Sequence, residues 1–211
     1  MRFSNPKNIA AICAASLFGV IVILILDSFT LNYWIKSCIK LTVWGGCVLF
    51  ACKPHPLSLF KPKMHKSLVW TTMLGVLALS IIMLSAHILL PIFQLDQVQN
   101  HIANIGVADN YLLVSLYIIC INCTLEELFF RGMCTIKLQE NSNRTFATIY
   151  SAALFAIYHI PMMSHLFPVY FTIICFVGLF LTGIIFSMLN SKTQNIYNSL
   201  IVHACANIAI Q

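Results

Sequence analysis

Residues 111–132 read YLLVSLYIICINCTLEELFFRG, a mostly apolar run in which Glu126 and Glu127 stand side by side and Arg131 follows. An ionisable side chain at the centre of a membrane segment costs about 3 kcal/mol even on the lenient insertion scale, so it is read first as functional, with a partner to be named. On a helix Glu127 and Arg131 share a face at i and i+4, with the acid N-terminal to the base, the better orientation for an ion pair. Glu126 points about 100° away from that face. The spacing therefore predicts that Glu127 is neutralised for structure and that Glu126 is left free to face something else.

Working outward, hydrophobic residues form 60% of the chain and charged residues 9%, against roughly 45–50% and about 25% in soluble domains. This is the composition of an integral, multi-pass membrane protein. At about 20 residues per crossing, 211 residues hold about six to eight helices and leave no room for a separate soluble domain. The fold class read here is all-α, a polytopic bundle of about seven transmembrane helices, with residues 1–211 as one integral membrane domain. The formal charge of +6 does not point to nucleic acid, because the basic residues fall between apolar runs and form no single patch. The nine cysteines lie mostly within apolar segments and read as small buried hydrophobes. Cys120 and Cys123 form a C-x-x-C, but without a neighbouring βαβ pattern it carries no redox reading.

In chain order, Ile9 to Leu26 is a first crossing, too long for a secretory signal, with its small residues Ala14, Ala15 and Ser16 inside the run where no cleavage site belongs. Arg2 and Lys7 before it place the N-terminus in the cytoplasm. Leu31 to Cys52 is the second; Lys36 and Lys40 interrupt it on one face, and either they snorkel outward or the helix begins nearer Ile39. Lys53 to Lys66, rich in lysine and proline, is a cytoplasmic loop by the positive-inside rule. Ser67 to Leu90 is the third crossing. Between Pro91 and Asp109, Leu95, Val98, Ile102 and Ile105 recur at helical spacing, which suggests a short helix on the outer surface. Asn110 to about Lys137, Thr145 to Ile160 (stopped by Pro161), Pro168 to Asn190 and Ile196 to Ile210 complete the set. Gly178 and Gly183 offer sites of close helix contact. Asp27, Asp96 and Asp109 then fall outside.

Three later polar groups stand on helices that should otherwise be apolar: His159, His203 and Asn207. Phe155 and His159 share one face, as do His203 and Asn207. At 1.5 Å per residue Glu126 lies roughly 16 Å above Lys137, His159 roughly 21 Å above Thr145 and His203 roughly 10 Å above Ile196, a spread that allows convergence in the cytoplasmic half or the middle of the bilayer. A carboxylate, two imidazoles and a carboxamide in one cavity suit hydrolysis by an activated water: the carboxylate takes the proton, an imidazole helps position the water, and fixed donors hold the oxyanion. No Gly-x-Ser-x-Gly elbow supports a serine nucleophile. Glu126, His159 and His203 also make a three-ligand zinc pattern with an open position. Against zinc, there is no H-E-x-x-H and each ligand would come from a different helix.

Glu126-Glu127 with Arg131, then Phe155-Ala-Ile-Tyr-His159, then His203-Ala-Cys-Ala-Asn207 resemble, in that order, the EExxxR, FxxxH and HxxxN motifs of the CAAX prenyl protease and bacteriocin-processing (CPBP, Abi) family of intramembrane proteases. The resemblance covers about residues 110–211, and Leu128, Phe130-Arg131-Gly132 and Asn198-Ser199-Leu200 are similar to it as well. It implies a glutamate endopeptidase in which Glu126 and His159 activate water and His203 and Asn207 form the oxyanion site, with Glu127 and Arg131 supporting and no cofactor. The implied partners are the lipid bilayer and a peptide or lipidated protein substrate. Thr193-Gln194-Asn195 departs from the Gly-containing turn common in the family. Two other classes fit the same scaffold less well. A binding or immunity protein without turnover should have lost one of Glu126, His159, His203 or Asn207, and a transporter should show internal repeats.

Overall fold

The computed structural model describes residues 6–29, 31–52, 59–60, 65–89 and 110–210. Among them every regular element is helical: α1 (Pro6–Asp27), α2 (Tyr33–Ala51), α3 (His65–Leu89), α4 (Tyr111–Asn141), α5 (Arg144–Tyr158), α6 (Ile160–Leu166), α7 (Val169–Thr193) and α8 (Tyr197–Ile210). α1, α2, α4, α7 and the run Arg144–His165 are each long and apolar enough to cross a membrane. α3 carries a shorter apolar stretch, Val69–Leu84. Large apolar side chains such as Trp70, Leu112, Val169 and Tyr170 point outward, the pattern expected where lipid replaces water. The all-α, membrane-embedded expectation is met; the expected surface helix between Pro91 and Asp109, and most of the Lys53–Lys66 loop, lie outside the described residues.

The inner packing follows from a few contacts. Trp44 of α2 is fully buried, stacks on Phe129 of α4 at 4.3 Å and donates its indole N–H to the Gly19 carbonyl of α1 at 2.9 Å, so three helices are pinned at one point. α7 approaches α5 closely because position 183 is glycine: a Cβ there would lie 2.9 Å from the Ala152 Cα. Gly178, named with it in the sequence, faces open space. Asn143 caps α5 by accepting the Phe146 N–H at 2.7 Å, the usual role of a short polar side chain before a helix.

Two boundaries differ from the sequence reading. α5 does end before Pro161, at Tyr158, but a second short helix starts at once, with Pro161 in the first turn of α6, a position where the missing N–H costs nothing. α4 is not a plain α-helix. Ile118–Asn122 and Glu127–Lys137 are π-helical, and Thr135 Oγ1 bonds back to the Phe130 carbonyl at 3.2 Å, five residues earlier. Such wide turns cluster at functional sites, and this one begins at the second glutamate.

Candidate active site

Glu126 and Glu127 are 3% and 0% exposed, and both reach His203 on α8. An ideal α-helix sets neighbouring residues about 100° apart; here the helix changes from α to π between the two. His203 Nδ1 lies 2.8 Å from Glu127 Oε1, and its Nε2 lies 3.7 Å from Glu126 Oε2. A carboxylate only accepts, so the Nδ1 proton belongs to His203 and is committed to Glu127. With Nδ1 so committed, Nε2 is an acceptor in the neutral ring and a donor only in the protonated one.

Glu127 is fixed on all sides. Arg131 Nη1 stands 3.4 Å from its Oε1, and Ser199 Oγ donates to its Oε2. Ser199 is in turn bound by the Asn190 side chain. The Arg131 guanidinium is wholly buried and lies over Phe155 at 4.1 Å and Phe186 at 5.0 Å, so aromatic faces carry much of what hydrogen bonds usually supply. The expected Glu127–Arg131 pair is therefore present, with Ser199 and His203 added to it.

Glu126 is not free, and here the sequence expectation is corrected. Lys40 of α2 is 7% exposed and donates to Glu126 Oε1 at 2.8 Å, to Asn122 Oδ1 at 2.6 Å and to the Tyr158 hydroxyl at 2.5 Å. Lys40 does not snorkel. α2 begins at Tyr33, well before Ile39, so Lys36 meets Asp27 at 3.3 Å near the helix end while Lys40 lies one turn deeper. A buried ammonium needs a counter-ion, and Glu126 is the carboxylate within reach.

His159 stands where the Pro161 break leaves it. Its backbone N–H turns to the Ala156 carbonyl at 3.2 Å, and its Nδ1 meets the Phe155 carbonyl at 2.7 Å. A carbonyl cannot donate, so Nδ1 carries the proton and Nε2 of the neutral ring is an acceptor. Phe155 lies against both the His159 and the His203 rings, at 4.7 and 5.9 Å. Asn207 is one turn beyond His203, half-buried, and its side chain hydrogen-bonds none of the described residues. Among the described residues no three His, Cys, Asp or Glu side chains form a group that could hold a metal ion.

Four residues of this site went unassigned in the sequence: Lys40, Asn122, Tyr158 and Ser199. Asn122 stands four residues before Glu126, the spacing that puts it on the same face, and its Nδ2 lies 2.8 Å from Glu126 Oε1. Tyr158 precedes His159. Ser199 lies four residues before His203 within the recognised Asn198-Ser199-Leu200. Lys40 had one signal, a lysine inside an apolar run, and its depth was the missing fact.

Residues 108–209 match the family described as Rce1-like, type II CAAX prenyl endopeptidase. The matched segment contains all three motifs, so the resemblance read from them holds over that stretch, and the family is one of proteases. No curated protein and no solved structure matches the chain.

Proposed function

We propose that this integral membrane protein is an intramembrane endopeptidase of the type II CAAX prenyl kind, hydrolysing a peptide bond with a water activated by Glu126. The observation that carries the proposal is the unequal state of the two Glu126 oxygens. Oε1 accepts from Lys40, from Asn122 at 2.8 Å and from Tyr158 at 3.1 Å. Among the described residues Oε2 has only His203 Nε2, at 3.7 Å, too long for a hydrogen bond. Oε2 is thus the oxygen available to take a proton from water. The acceptor Nε2 of His159 helps hold that water, and His203 as an imidazolium, with Asn207, donates to the oxyanion as the carbonyl is attacked. No step draws on a metal or other cofactor. Orientation is part of the proposal: the N-terminus and the lysine-rich loop are cytoplasmic, and Asp27 is external.

The test uses purified chain in detergent with internally quenched peptides ending in a CAAX tail, with and without a farnesyl group, and products identified by mass spectrometry. Cleavage at one bond within or beside the tail by the native chain, and none by Glu126→Gln, is the expected result. Binding of either peptide without cleavage would instead favour a non-catalytic binding protein on the same scaffold.

A further inference from the structure

We infer that Lys40, which lies outside the family-like segment, is a positioning residue for the general base: it fixes Glu126 Oε1 so that Oε2 is presented to the water. The inference rests on the proposed role of Glu126 and adds a residue from α2 to it.

An ammonium has three protons, and the three acceptors around Lys40 Nζ, at 2.5, 2.6 and 2.8 Å, take them all. No proton remains to bind substrate or an oxyanion, which separates positioning from direct catalysis. The head group is further held over the rings of Trp44 at 4.5 Å and Tyr158 at 4.6 Å. Trp44 is itself pinned by Gly19 and Phe129, so the lysine head stands on a rigid wall. Asn122 and Tyr158 each touch both Lys40 and Glu126 Oε1. The four side chains therefore form a closed network, and such networks hold a functional group in one geometry when every member is satisfied. Turning the Glu126 carboxylate away from its present plane would break three hydrogen bonds at once. Without the cation the carboxylate would be a buried charge with one fewer donor to fix its orientation.

The experiment has two arms. The first measures turnover of the farnesylated CAAX peptide by Lys40→Met and Lys40→Arg. A base displaced by about an ångström loses about 100-fold in rate, so Lys40→Met should lose about 100-fold in kcat with KM within about twofold of the native value, and Lys40→Arg, which restores the charge, should recover part of kcat. A native kcat in Lys40→Met, or equal losses in both variants, would overturn the inference. The second arm needs no substrate. Thermal unfolding is measured for Lys40→Met, Glu126→Gln and the double variant. Pairing predicts that the double variant is at least as stable as either single one, and folds even where Lys40→Met does not. Additive losses would overturn it. If the native chain cleaves no peptide, or Glu126→Gln still does, the proposed function fails, and the unfolding cycle still decides whether Lys40 and Glu126 act as a pair.

Discussion

Glu126 and Glu127 are consecutive residues held in two different ways. Glu127 faces a cation from its own helix, Arg131, and side chains of α8, in a corner where both of its oxygens are occupied. Glu126 faces a cation from α2 and keeps one oxygen without a hydrogen bond among the described residues. Both carboxylates are ion-paired, so pairing alone does not separate structure from chemistry. What separates them is the unoccupied oxygen.

The sharpest way to break this contrast is Glu126→Gln. It removes the proposed base, and turnover should fall about 10⁴-fold, the upper end for such a group. It also strands Lys40, so the variant should unfold at a lower temperature than the native chain. Next comes Glu127→Gln, which leaves Arg131 buried among Phe155 and Phe186 without its charge partner and should cost about 3–5 kcal/mol of stability; chemical denaturation in detergent measures it. Turnover should fall too, because His203 loses the carboxylate that orients its ring, but by less than for Glu126→Gln. Equal losses of turnover in the two variants with native stability in both would refute the contrast.

Asn207 belongs to neither corner. If it serves the oxyanion, Asn207→Ala should lower kcat about 100- to 1000-fold with KM little changed; a loss confined to KM would assign it to substrate binding instead. The smallest effect expected is that of Ser199→Ala, which removes the donor to Glu127 Oε2. A hydrogen bond to a charged group contributes about 1.5–3 kcal/mol, so the variant should lose that much stability and keep most of its kcat.

The same contrast explains what the sequence made legible. Glu127 and Arg131 are four residues apart, and helical periodicity alone pairs them. His159, His203 and Asn207 stood out as polar groups on apolar helices, and the motifs gave their order. Lys40 and Glu126 are 86 residues apart, and no periodicity links two helices. An interrupting lysine near a helix end reads equally as snorkelling, and only the packing of Trp44 against Gly19 and Phe129 shows that α2 turns this residue inward. The π-helical turns of α4 have no sequence signature comparable to a heptad or a cap. Pro161 was read as a stop because a proline lacks an N–H, yet the same property suits the first turn of a new helix. The Gln194 backbone, at φ 56°, is the physical counterpart of the departure from a Gly-containing turn. A non-glycine residue occupies the left-handed region there, with its side chain bonded to the Ser191 carbonyl at 2.7 Å.

In the proposed mechanism Glu126 acts on water directly and not as a metal ligand. This is tested most directly by measuring zinc content and peptide cleavage on the same purified sample before and after prolonged chelation in detergent. Direct action on water predicts less than stoichiometric zinc, unchanged cleavage after chelation and no cleavage by Glu126→Gln under either condition. One zinc per chain, with cleavage lost to the chelator and restored by added metal, would contradict it and make Glu126, His159 and His203 ligands.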